Sequence, residues 1–203
     1  MKRVLFLVEN LPSPFDRRVW QEATTLRDAG YTVSIICPTG KGYECHFQEI
    51  EGIAIYRYDL PMEAEGALGY AIEYSSALFH TFALCWRVLF TRGFDVIHAC
   101  NPPDLFFVIG AFFKLFGKKF VFDHHDINPE LYEAKFGRRD FFWKLMVDSI
   151  DEVISHARTI VIGNGSPEFR EVPRRLEEGQ QVVDLVRIAD TRSVQGVYDG
   201  ICW

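Results

Sequence analysis

The first forty residues hold the pattern that limits the fold most: a short unbroken apolar run, a segment of helical period, and a second apolar run, joined by brief connections. Val4 to Val8 has no polar interruption, as suits a strand covered on both faces by helices. Arg17 to Ala29 carries Val19, Trp20, Ala23 and Leu26 at helical spacing and is closed by Gly30. Thr32 to Cys37 is the second strand, ended by Pro38-Thr39-Gly40. Strand, helix and strand with such short links make a βαβ unit, whose crossover is almost always right-handed and whose strands run parallel. The expected fold class is α/β, a parallel sheet flanked by helices.

The rest of the chain continues in kind. Glu44 to Tyr58 alternates loosely around Glu51-Gly52, which predicts strand, turn and strand at a sheet edge. Pro61 to Gly69 reads as a loop. Leu68 to Phe90 is the longest apolar stretch, but Glu73, His80 and Arg87 fall seven apart on one helical face, so it predicts an amphipathic helix and not a membrane span. Asp95 to Ala99 is the next core strand, Leu105 to Phe116 a phenylalanine-rich helix stopped by Gly117, and Phe120 to Phe122 another strand. Lys114, Lys118 and Lys119 beside Phe112, Phe113 and Phe116 allow peripheral contact with an anionic membrane, against the plainer account of a buried helix with lysines at its rim. The basic, apolar start MKRVLFLVEN is of strand length with no small-residue cleavage site after it, and is read as the first strand.

Chemistry is expected beyond the carboxyl ends of the strands, where open α/β sheets collect ligands. The strand at Phe120 runs straight into Asp123-His124-His125-Asp126, and the strand at Asp95 ends in His98, Asn101 and Asp104, so two polar clusters converge on one crevice. The alternative is that Asp123 and Asp126 cap a turn and the histidines pack. Arg17 and Arg18 start the first helix, where they oppose its dipole. A ligand bearing phosphate or carboxylate would explain them, Arg17 being carried as the substrate contact; a solvated pair or a contact with Asp16 is the simpler account. The loop Asn10 to Asp16 has no glycine-rich phosphate cradle.

A formal charge of −6 gives no electrostatic footprint for nucleic acid. Five scattered cysteines without a CxxC pair suit reduced thiols in a cytoplasmic protein and no zinc knuckle, and no second cluster with ligand spacing supports a metal at Asp123-His124-His125-Asp126.

RVLFLVENLPSPFDRRVWQEATTLRDAGYTVSIICP, FDVIHACNPPDL and KFVFDHHDINPELY, in this order, resemble the N-terminal half of a family 4 glycosyltransferase of the GT-B fold, over roughly residues 1–145. The resemblance implies a Rossmann-like domain that binds the acceptor, with a second such domain holding a nucleotide-sugar donor and no metal required. It places the cleft histidine at His125, His124 being the second choice, where imidazole hydrogen-bonds the sugar or stabilises charge as the glycosidic bond breaks. Asp126 and Glu130 would orient it or contact acceptor hydroxyls; Asp123, His98, Asn101 and Asp104 complete the substrate-binding set. The glycines that many members carry in the first loop are absent.

Residues 146–203 differ. VDSIDEVISHARTIVIGNGSPEFREVPRRL, QQVVDLVRI and YDGICW resemble the carboxyl end of a GDP-mannose or UDP-sugar dehydrogenase. Helix from Asp148, strand Thr159 to Gly163, helix Pro167 to Leu176 and strand Gln181 to Ile188 are expected, either added to the first sheet or as a small βαβ appendage, from a junction near Lys144 to Val147. Gly163, Asn164 and Gly165 lie between strand and helix, where amides can meet a phosphate, although a lone Gly-x-Gly is a weak signal. The dehydrogenase NAD site and catalytic cysteine have no match; Cys202 reads as a packed thiol.

The leading expectation is a glycosyltransferase-type domain, transferring sugar from a nucleotide-sugar to a polysaccharide or lipid-linked acceptor, incomplete and inactive without a partner chain that supplies the donor-binding domain. No cofactor is expected. The rivals are a nucleotide-sugar 6-dehydrogenase remnant, a non-catalytic chimeric product, and a metal hydrolase at the histidine pair. The expected location is cytoplasmic, with peripheral attachment at the inner membrane face as the variant.

Overall fold

The computed structural model describes residues 2–60, 66–100, 105–124, 137, 154–155, 157, 159–162, 167–188 and 197–200. The described strands are β1 (Arg3–Leu7), β2 (Thr32–Pro38), β3 (Phe47–Ile50), β4 (Ile53–Tyr58), β5 (Val96–Cys100), β6 (Lys119–His124), β7 (Thr159–Ile162), β8 (Gln181–Asp184) and β9 (Val197–Gly200). The helices are α1 (Arg17–Asp28), α2 (Gly66–Thr91) and α3 (Phe106–Lys114), with a 3-10 helix at Pro167–Arg174. One nine-stranded sheet runs β3-β4-β2-β1-β5-β6-β7-β8-β9, parallel except for β3 against β4. The expected α/β fold with a Rossmann-like parallel sheet is what the chain adopts.

Local chemistry accounts for the elements. Asp16 caps α1, its carboxylate accepting from the amides of Arg18 (3.1 Å) and Val19 (3.2 Å), which offsets the two arginines at the positive helix end. The helix stops at Gly30, whose φ of +86° turns the chain back as the Tyr31 amide reaches the Leu26 carbonyl. α3 lies so close to β6 that a Cβ on Gly110 would stand 2.3 Å from the Phe120 ring. Two cores sandwich the sheet. Val19 and Ala23 of α1 pack with Val4, Phe6, Val8 and Cys100 on one face; α2 and α3 cover Leu5, Leu7, Ile97 and Phe122 on the other.

The segment after residue 145 joins the first sheet. β7 pairs β6 in parallel, and Ile160, Ile162 and Val182 belong to the same core as Leu5. Gln180, buried, donates to the carbonyls of Ile154 and Ala157 and ties this part together. Differences from the expectations are local. The helix at Pro167 is 3-10, with Pro173 inside it removing a donor. The strand from Gln181 stops at Asp184, whose carboxylate accepts from the amides of Val186 and Ile188 and turns the chain. β9 was not expected, and β6 runs on through Asp123 and His124. On α2 the polar line Glu73, His80 and Arg87 is a flank, His80 stacking on Tyr58, while Ile72, Phe79 and Phe90 stand exposed. Of the helix expected from Asp148 to His156, Ile154 and Ser155 are described and helical; residues 148–153 and the junction near residues 144–147 lie outside the described residues.

Candidate functional site

Strand order reverses between β1 and β5, since β1 leads to β2 on one side while β5 leads to β6 through β9 on the other. A crevice beyond the carboxyl ends is expected at such a switch point. Side-chain alternation puts a polar cluster on each face of the sheet there.

On the α1 face, register pairs Phe6 with His98 and Cys100 with Asp123. His98, Cys100 and Asp123 therefore point the same way. The imidazole stacks on the Phe6 ring with centroids 4.4 Å apart. From α1, Arg18 forms an ion pair with Asp123, and Glu22, one turn on, stands 3.8 Å from Arg18 and 3.4 Å from His98 Nε2. Burial first, then the Asp123 charge, pushes the Glu22 carboxyl up to about 7. Burial lowers His98 to about 4, outweighing the attraction of Asp123, so its ring is neutral at neutral pH. Glu22 Oε2 and His98 Nε2 approach each other without forming a hydrogen bond, and neither has one among the described residues.

His98, Cys100 and Asp123 bring donor atoms within 4.8 Å of one another, a set zinc accepts. Arg18 already supplies positive charge at Asp123, and an added cation would stand against the guanidinium. The cluster therefore reads as an ion-pair network.

The α2 face holds Glu9, just past β1, with Tyr58 at the end of β4 and Thr81 on α2, all buried. Burial, then the nearby Glu73 charge, pushes Glu9 up to about 8, so it is largely protonated at neutral pH. Among the described residues Glu9 Oε1 lacks a hydrogen-bonding partner, while the Tyr58 hydroxyl has the Thr81 hydroxyl beside it. A neutral carboxyl with an unpaired oxygen at the end of β1 is a group that a hydroxyl-bearing ligand or water would satisfy.

Of the residues expected from sequence, His98 and Asp123 are brought together. Arg17 lies exposed, and Arg18 is the arginine at the site. His124 ends β6 opposite Ile162. Asn101, Asp104, His125, Asp126, Glu130, Gly163, Asn164 and Gly165 lie outside the described residues. Glu22, Cys100, Glu9, Tyr58 and Thr81 carried no expectation from sequence, and Arg18 was named only as the neighbour of Arg17. The Arg18 signal was readable: Arg17, Gln21, Thr25 and Asp28 form the outward row, whereas Arg18 and Glu22 flank the buried row of Val19 and Ala23.

The model of the Glycosyltransferase Family 4 matches residues 16–162. Among solved structures, sucrose-phosphate synthase from Thermosynechococcus elongatus is similar with a TM-score of 0.66 and 13% identity, over 91% of this chain and 48% of that one. Arabidopsis thaliana UGT89C1 complexed with UDP gives 0.55 and 16%, over 94% and 53%. These likenesses show a shared fold. Among curated proteins, GDP-mannose 6-dehydrogenase of Azotobacter vinelandii is 32% identical over 97 residues, 44% of this chain and 22% of that protein. Its Pseudomonas aeruginosa counterpart is 32% identical over 80 residues, 39% and 17%. The chain thus spans about a fifth of these curated relatives and about half of the structural neighbours. The Azotobacter match is longer than 146–203, so that likeness includes residues upstream of the expected boundary.

Proposed function

We propose that this chain, which belongs to glycosyltransferase family 4, is the acceptor-side domain of an enzyme that moves a sugar from a nucleotide-sugar to a polysaccharide or lipid-linked acceptor. The observation that supports this reading is the pair of polar clusters at the carboxyl ends of the strands by the switch point: Arg18, Glu22, His98 and Asp123 on one face, Glu9, Tyr58 and Thr81 on the other. The donor would be held by a second Rossmann-like domain facing that edge, and no cofactor beyond the nucleotide-sugar substrate is invoked.

In this reading Arg18 fixes the Asp123 carboxylate at the mouth of the crevice. His125, the first residue past β6, supports the breaking glycosidic bond through its imidazole, and Asp126 and Glu130 orient it or take acceptor hydroxyls. Asn101 and Asp104, following β5, contact the acceptor. Protonated Glu9 donates to a sugar hydroxyl without the cost of a buried charge. Arg17, exposed on the same first turn, is free to meet a charged group from the donor side.

A second reading is favoured by the dehydrogenase likeness: nucleotide-sugar binding without turnover, through residues 163–166, which follow β7 in sequence and precede the 3-10 helix, with Gly163, Asn164 and Gly165 offering amides to a phosphate. Isothermal titration with UDP, GDP, UDP-N-acetylglucosamine and GDP-mannose, on wild type and His125→Ala, separates the two. The main reading predicts sugar-dependent binding weakened in His125→Ala. Binding of bare nucleotides, unchanged in that variant and lost in Gly165→Pro, would favour the second.

A further inference from the structure

The outward surface of α2 and α3 is apolar where a solvent-facing helix surface is ordinarily polar. Ile72, Phe79 and Phe90 follow one another at seven and eleven residues, a single line along α2 of about 27 Å. They are 55%, 70% and 79% exposed. Beside them, Val108 of α3 and Leu115 and Phe116 just after it are exposed as well, Leu115 to 82%. The two halves form one surface: Trp86 stacks on Phe90 at 5.6 Å and meets Phe116 edge-on at 5.6 Å, and Phe112 touches both Trp86 and Phe116.

Charge says what such a surface fits. The chain is acidic overall, yet Arg87, Lys114, Lys118 and Lys119 border this patch. Among the described residues from Arg87 to Lys119 the one acid is Asp95, and its carboxylate is held by Arg3. A second copy of the chain seated here would bring lysines against lysines. Aromatic and aliphatic groups with three lysines clustered at one end match the boundary between acyl chains and anionic headgroups. No helix of the described residues is long and apolar enough to cross a membrane, so α2 would lie on the surface and not through it.

We propose that this face of α2 and α3 docks on an anionic lipid bilayer. The patch reaches Ile72, one residue from Glu73, whose charge acts on Glu9 at the crevice. Docking would therefore set the crevice mouth beside the lipid surface. The proposal goes beyond the catalytic reading and stands without it.

Vesicle sedimentation tests it on the whole chain. Wild type is expected to pellet with vesicles of phosphatidylcholine mixed with phosphatidylglycerol, to stay in solution with phosphatidylcholine alone, and to be released as salt rises. Phe90→Ser with Phe116→Ser should lower the partition about tenfold or more. Lys118→Glu with Lys119→Glu should lower it on a similar scale at low salt. Phe90, Phe116 and Lys119 are exposed and Lys118 is half-buried with its ammonium over the Phe94 ring, so thermal melts of each variant check that the fold is kept; Phe90→Trp should keep binding and be quenched by brominated lipid. Wild type left in solution with both vesicle types overturns the proposal, and so does pelleting that neither double variant reduces. A concentration-dependent dimer abolished by Phe90→Ser with Phe116→Ser, without vesicle binding, would assign the face to a second copy and also overturn it.

Discussion

Arg18 and Asp123, 105 residues apart in sequence, meet as an ion pair that joins the first turn of α1 to the end of β6. Asp123 is 4% exposed and the Arg18 side chain 35%. Removing the cation leaves a carboxylate in the protein interior. Arg18→Ala is therefore expected to destabilise by about 2 kcal/mol, below the range for a fully buried pair because water reaches the arginine. Thermal melting should fall by roughly 4–8 °C for a chain of this size. A double-mutant cycle with Asp123→Ala should return much of that as coupling, and additive losses would contradict the pairing.

The two raised glutamates set the sign of the pH dependence. Glu9 at about 8 and Glu22 at about 7 bind protons that the unfolded chain, with ordinary carboxyls, has already released. Their stabilisation is present at low pH and is lost as pH rises through about 7 and 8. His98, lowered to about 4, acts the other way, since the unfolded chain protonates first as pH falls below 6.5. Two groups outweigh one, so stability should decline from about pH 5 to 8. Urea midpoints across that range measure it. Glu9→Gln should flatten the upper part of the decline and raise stability at pH 8 by about 2 kcal/mol. A midpoint that rises steadily to pH 8 would contradict the burial of these carboxyls.

Gly110 is the contact point of α3 and β6. A methyl group there meets the Phe120 ring, so Gly110→Ala should cost about 1–3 kcal/mol despite the better helix propensity of alanine. Adding Phe120→Leu should cost less than the sum of the two changes, and strict additivity in chemical denaturation would count against the packing described.

Much of the fold was legible because parallel strands buried on both faces leave unbroken apolar runs, as at Val4 to Val8 and Phe120 to Phe122. β9 was not, because Val-Tyr-Asp-Gly carries no such run and is placed by its pairing with β8. The candidate cluster was legible at His98 and Asp123, polar residues within the otherwise apolar strands β5 and β6. Glu9 was not: an acid following a strand looks like any solvated turn, and only the packing of α2 over β1 and β4 buries it. Arg18 meets Asp123 because it flanks the helical row in which Val19 and Ala23 face the sheet, whereas Arg17 stands on the exposed row. The apolar outer line of α2 was overlooked because Glu73, His80 and Arg87, though on one face, occupy its flank.

The central claim is that ligands bind at the carboxyl edge of β1, β5 and β6. Its most direct test is an NMR titration of arginine side-chain Nε–H and histidine ring signals with nucleotide-sugars and oligosaccharide acceptors. Arg18 and His98 signals should move with ligand while Arg3, paired with Asp95 at the opposite edge of the sheet, stays fixed. Shifts confined to Arg3 or to other arginines, with Arg18 and His98 unmoved at saturating ligand, would contradict the account.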